Sequence, residues 1–133
     1  MFPVEKTAEL ACERGILFHT GAVQAEGKIP INMRTNSINI LSLSGHKLHA
    51  PKGVGVLYLR KGTKFSTFLI GGHQEKERRG DTENISGIIG LGKACELAAR
   101  NMGKENTRVR ELREKQEKEI LVPVPNTRIK GNL

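Results

Sequence analysis

A hydroxyl, an imidazole and an amine follow closely on one another in Ser44-Gly45-His46-Lys47. A lysine amine can condense with an aldehyde, while a serine hydroxyl and a histidine ring can hold an anionic group beside it. Gly45 removes a side chain where backbone would crowd that anion. The set suits an aldehyde cofactor that also carries a phosphate. An ordinary surface turn can contain the same four residues, so the chemistry depends on what positions them.

The segment before them, Ile38-Asn39-Ile40-Leu41-Ser42-Leu43, is rich in aliphatic residues and reads as a strand in the core of a sheet. Gly53 to Leu59 gives a second strand, and Ala50-Pro51-Lys52-Gly53 supplies the turn between them. Lys47 therefore stands where a strand passes into a loop, the usual place for a site on a sheet protein. Upstream, Val4, Ala8, Leu10 and Ala11 form the stripe of a helix from Val4 to Arg14, with Gly15 as its stop. Ile16 to Thr20 reads as a buried strand closed by His19, a satisfied core or rim residue, which makes the opening that of an α/β domain. Gly21 to Gly27 can hold a helical turn, and Pro30 keeps Lys28 to Ile31 extended.

Downstream, Ile85, Ile88, Ile89, Gly92, Cys95 and Ala99 recur at helical spacing, with Thr82 or Asn84 as cap, and predict a helix to about Arg100. After Asn101-Met102-Gly103 a second helix is expected on Val109, Leu112 and Ile120, supported by Glu111 to Lys115 and Glu114 to Lys118 pairs. Val122-Pro123-Val124-Pro125-Asn126 breaks it, and Thr127 to Lys130 can begin another strand. Arg78 and Arg79 are a cationic pair near a helix start at Thr82, where unpaired N–H groups favour an anion.

The chain has 133 residues, 37% hydrophobic and 27% charged, which fits one globular domain rather than a disordered segment. No apolar run approaches the roughly 20 residues of a membrane span, and Met1 to Lys6 carries no signal-peptide core, so a cytoplasmic protein is expected. The net charge of +8 is interleaved with Glu and accompanied by few aromatics, which argues against nucleic acid. His46 and His49 lack partners at metal-ligand spacing, so no metal is expected, and neither Gly53-Val54-Gly55 nor Gly71-Gly72 fits a nucleotide loop. Cys12 and Cys95 read as reduced packing thiols on helices.

Five segments in order carry a wider pattern: His19-Thr20-Gly21-Ala22-Val23-Gln24-Ala25, Ser42 to Lys47, Gly53-Val54-Gly55, Gly71-Gly72-His73-Gln74-Glu75, and Arg78 to Asn84. Together they resemble cysteine desulfurases of the nitrogen-fixation and iron–sulfur type, in the class V aminotransferase family. The resemblance runs from Val4 to about Lys118, and Pro125-Asn126-Thr127-Arg128 resembles the opening of the family's smaller domain. It implies an α/β fold, a partial large domain of the pyridoxal-phosphate-dependent transferase fold type I (aspartate-aminotransferase-like), with helices on a mostly parallel sheet. Residues 1–121 would be the second half of the cofactor-binding large domain and 122–133 the start of the small domain, in a chain truncated at both ends.

What the resemblance implies for the site is specific. Lys47 would bind pyridoxal 5'-phosphate covalently and carry protons, Ser44 and His46 would bind its phosphate, and Gln24 would hydrogen-bond the ring's phenolic oxygen. Thr82 would reach the phosphate of a neighbouring subunit, which implies a homodimer. The reaction would take sulfur from L-cysteine, leave alanine, and pass a persulfide to a sulfur acceptor or iron–sulfur scaffold protein. Gly21 departs from the family pattern HTDAVQ, in which an aspartate faces the pyridine nitrogen, so weak or absent turnover is expected. Segments that supply the stacking ring, the acceptor thiol and the substrate-carboxylate arginine are also expected outside this chain. A selenocysteine lyase on the same cofactor and a non-catalytic dimerisation or interaction remnant are the alternatives. A partial domain should also expose apolar strand edges and be poorly stable alone.

Overall fold

The computed structural model describes residues 2–131. Met1, Asn132 and Leu133, at the ends of the two expected domain segments, lie outside the described residues. Helix α1 (Val4–Glu13) buries Ala8 against Ala22, Ile38 and Leu41, and these four small or aliphatic side chains form the main core cluster. Its end is closed by backbone bonds from Arg14 to Ala11, Gly15 to Cys12 and Ile16 to Ala11, with Gly15 at φ +64, a conformation glycine reaches without Cβ strain.

Strand β1 (His19–Gly21) is shorter than the Ile16 to Thr20 run suggested. Ile16 and Leu17 are exposed, and the Phe18 N–H donates to the Asn39 side chain at 2.9 Å because the partner strand begins only at Ile40. β1 pairs in parallel with β2 (Ile40–Ser44), Gly21 opposite Ser42, and β2 pairs antiparallel with β3 (Gly55–Leu59), Ser44 opposite Gly55. The sheet of the described residues is thus mixed, in the order β1-β2-β3. The link from Ser44 to Gly55 is too short for a parallel crossover, which needs about a dozen residues or more, so the chain can only return antiparallel.

Arg60, directly after β3, ties the loop before β2 into place: its guanidinium donates to the carbonyls of Ile38, Met33 and Asn36 at 2.8, 2.9 and 2.7 Å. A short irregular helix, α2 (Gln74–Glu77), follows, and then α3 (Ile85–Leu121). The Asn84 side chain accepts the Gly87 N–H at 3.0 Å and caps α3, so the cap is Asn84 and not Thr82, and the helix starts at Ile85.

The two helices expected on either side of Asn101-Met102-Gly103 are one continuous helix. Gly103 costs about 1 kcal/mol against alanine in a helix but keeps its N–H, and no proline interrupts the segment. The ion pairs also differ from expectation. Arg113 reaches Glu117 at 3.4 Å and Lys115 reaches Glu119 at 3.7 Å, in place of the Glu111 and Glu114 pairs. α3 stops before Pro123 as the sequence required, but Thr127 to Lys130 form no strand.

Among the described residues no large side chain is fully buried, while Phe68, Ile70 and Ile89 stand 87%, 91% and 67% exposed. No helix is long and apolar enough to cross a membrane among the described residues.

Candidate functional site

The candidate site begins where β2 ends. Ser44 is the last extended residue, with φ −129 and ψ 117, and the chain then tightens into a 3-10 helix at Gly45–Leu48. The Gly45 N–H donates to the Val54 carbonyl at 2.9 Å and the Ala50 N–H returns to the Gly45 carbonyl at 3.0 Å, closing the turn on itself. Gly45 is buried, and a Cβ there would lie 2.9 Å from both the Val54 carbonyl oxygen and its Cγ1. Glycine is therefore required by close packing of the turn against β3. His49 ends the turn in the left-handed region at φ 61.

Helix α3 braces this turn from outside. Gly90 faces Pro51 so closely that a Cβ would come 2.9 Å from the proline Cδ. Within the turn, the Ser44 hydroxyl and His46 Nδ1 are 2.8 Å apart, a pair that can present O–H or N–H to an anion according to the tautomer of the ring. His46 and Lys47 are exposed, so the imidazole and the amine are accessible to a ligand.

A second pair lies one residue pair back along the sheet. His19 Nε2 and the Ser42 hydroxyl are 3.2 Å apart across the β1–β2 junction. Gly21 sits opposite Ser42, and a Cβ at Gly21 would meet the Ser42 hydroxyl at an ordinary 3.7 Å. The site therefore has room for a side chain at Gly21. His19, expected as a satisfied core or rim residue, is joined to the serine two positions before Ser44, a relation visible only once strand register is known.

The other expected site residues are placed differently. Gln24 is exposed in the turn after β1, where it lines a cavity of about 620 Å³ with Thr20, Gly21, Ala25 and Leu41; the Ser44 to Lys47 turn does not line it. Thr82 is exposed, and its N–H is taken by the neighbouring Asp81 carboxylate at 2.7 Å, so that group is not free for an anion. The structure thus gathers Ser44, His46 and Lys47 on one turn and leaves Gln24 and Thr82 on separate segments. Cys12 and Cys95 are exposed rather than packed inside. Partial burial, and then the negative charge of Glu26, push the Cys95 thiol above its ordinary pKa, which disfavours the reactive thiolate. Glu26 itself, buried beneath the turn, is the feature that sequence reading missed. Among the described residues no three His, Cys, Asp or Glu side chains gather as metal ligands.

The aminotransferase class-V family profile matches residues 1–132. The cysteine desulfurase NifS of Azotobacter vinelandii is 58% identical over 99% of this chain, which corresponds to 33% of that protein. A solved NifS-like protein superposes with a TM-score of 0.86 at 35% identity, over 90% of this chain and 33% of the other. The structure of SspA in complex with cysteine matches 71% of this chain, and 28% of its own, with a TM-score of 0.68 and 42% identity. The chain spans about a third of the length of the curated relatives it matches. With the profile match extending over nearly every residue, the chain belongs to the class-V aminotransferase family.

Proposed function

We propose that this chain carries the cofactor lysine of a pyridoxal-phosphate-dependent cysteine desulfurase, which removes sulfur from L-cysteine to give alanine and delivers a persulfide for iron–sulfur cluster assembly or other sulfur transfer. The carrying observation is the turn after β2, where an exposed amine at Lys47 follows a hydroxyl–imidazole pair held at 2.8 Å. The residues fit the cofactor at this end: buried Gly45 lets the backbone fold tightly, Ser44 and His46 offer anion donors, and Lys47 offers the amine.

When bound, pyridoxal phosphate supplies a ring that withdraws electrons from the amino-acid substrate's Cα. Ser44 and His46 would then hydrogen-bond and orient the phosphate, and the Lys47 Nζ would both secure the group and carry protons once it is free. Gln24 would hold the phenolic oxygen. Thr82 would complete the phosphate site of a second subunit in a homodimer, a role supported by its exposure and by the uncovered apolar surface around α3. In this reading residues 1–121 belong to the large domain and 122–133 open the small one. Two free cysteines fit a reducing compartment, and we place the protein in the cytoplasm.

Gly21 favours a second reading, in which the chain captures the cofactor but supports little turnover. Glycine provides no charge for the pyridine nitrogen, and neither backbone strain nor crowding requires glycine at that position. Titration with pyridoxal phosphate, followed by absorbance, tests the first reading. A saturable long-wavelength band lost in Lys47→Ala supports it; a band equally strong in Lys47→Ala contradicts it. In the intact enzyme, Gly21→Asp should raise desulfuration at least about tenfold if the ring nitrogen needs a carboxylate; an unchanged rate removes the second reading.

A further inference from the structure

Glu26 is a buried carboxylate with no part in the function described above. It is 6% exposed, its Oε1 accepts the Ser44 N–H at 3.4 Å, and its Oε2 has no hydrogen-bond partner among the described residues. Burying a charge is costly, and an apolar side chain could fill the same space without that cost. The ladder of the sheet shows what the carboxylate is for.

At the two ends of β2 the Asn39 carbonyl and the Gly45 N–H face the β3 side: the Arg60 N–H donates to the Asn39 carbonyl at 2.8 Å and the Gly45 N–H to the Val54 carbonyl at 2.9 Å. By strand alternation, Ser42 and Ser44 direct theirs to the β1 side. The Ser42 carbonyl is met there by the Ala22 N–H at 2.9 Å, but β1 has ended at Gly21 and no strand continues to Ser44. The Ser44 N–H would be an orphan donor inside the protein. The chain turns away at Ala22 and returns the Glu26 side chain to that gap. The returning turn is fixed by α3, since Asn106 Nδ2 donates to the Lys28 carbonyl at 2.8 Å and a Cβ at Gly27 would meet the Ala98 Cβ at 3.5 Å.

We propose that Glu26 is a positioning residue for the Lys47 turn, its carboxylate standing in for the missing strand and holding Ser44 at the angle that brings its hydroxyl to His46. The inference rests on the cofactor reading for what Lys47 does, but its geometric half is independent of it. It also assigns the Ser44 N–H to the protein interior, which leaves the hydroxyl and the His46 ring as the anion donors of this turn.

Amide hydrogen exchange resolved to single residues, in the full chain, tests the geometric half. The Ser44 amide should be protected in the parent protein, exchange at least about tenfold faster in Glu26→Ala, and recover most of its protection in Glu26→Gln, whose amide oxygen can accept the same bond. Leu91→Ala serves as a control that loosens the packing of α3 without touching Ser44. The second readout is the rate at which pyridoxal phosphate, fixed with borohydride, modifies Lys47: it should fall in Glu26→Ala and return in Glu26→Gln, while Leu91→Ala leaves it less affected. A parent Ser44 amide that exchanges like an exposed loop amide overturns the inference. So does a Glu26→Ala protein with unprotected Ser44 and unchanged Lys47 modification. Failure of Lys47 to react in the parent chain, with Ser44 protection intact, overturns the cofactor reading instead.

Discussion

The turn that carries Lys47 and the outer surface formed by β3, the 65–70 segment and the first turns of α3 are held in opposite ways. The turn is over-determined by backbone: Gly45 packs against Val54, α3 meets Pro51 at Gly90, and two main-chain bonds close the loop. The outer surface is rich in apolar side chains that meet little, with Val56, Leu57, Phe65, Phe68 and Leu69 all exposed. A groove of about 640 Å³ runs between them and Ile88 and Leu91. Site geometry in this protein therefore depends on local close approach, and not on a filled hydrophobic core. Packed apolar area, which supplies most of a fold's stability, is small among the described residues.

The largest effect should come from crowding the turn. Gly45→Val places methyl groups where the Val54 carbonyl already stands, and should cost about 3 kcal/mol or prevent folding. Chemical denaturation measures this; a near-parental midpoint would break the contrast between the two regions. Next is Arg60→Met, which keeps the bulk but removes the bonds to Met33, Asn36 and Ile38 and should cost about 2 kcal/mol. Asn84→Ala removes the cap of α3 and should cost about 1 kcal/mol, seen as a lower melting temperature.

On the outer surface the sign of the comparison reverses. Phe68→Ser should leave the unfolding midpoint nearly unchanged while reducing light scattering on concentration, since the ring is 87% exposed. A large loss of stability would show that this surface is packed after all. The smallest effect concerns Cys95. Glu26→Gln removes one of the two causes that hold its thiol above the ordinary pKa, so more thiolate is present at a given pH and alkylation should quicken modestly. Unchanged alkylation would place Glu26 too far from Cys95 to act on it.

How much of this was legible in the sequence follows the range of the interactions involved. α1, the end of α3 before Pro123, and the strand leading to Lys47 were legible, because helical spacing, proline chemistry and aliphatic runs act within a few residues. The break expected at Gly103 was wrong because one glycine weakens a helix without ending it. The length of β1 was misjudged because Ile16 and Leu17 are apolar but have no strand beside them, and strand ends are set by the partner. Ser44, His46 and Lys47 were readable as a local cluster. The link between His19 and Ser42, the three guanidinium bonds of Arg60 to the carbonyls of Met33, Asn36 and Ile38, and the burial of Glu26 join residues far apart in the chain, and no local pattern announces them. Glu26 offered only a weak signal, a single acidic residue among Ala22, Val23 and Ala25.

The central claim is that the turn after β2 captures an aldehyde cofactor through Lys47. Its most direct test is to mix the chain with pyridoxal phosphate, fix the product with borohydride and map the modified lysines by peptide mass spectrometry. The account predicts that Lys47 is modified at sub-stoichiometric cofactor, ahead of Lys52 and the lysines of α3. Modification spread evenly over the exposed lysines, with Lys47 no faster than the rest, would contradict it.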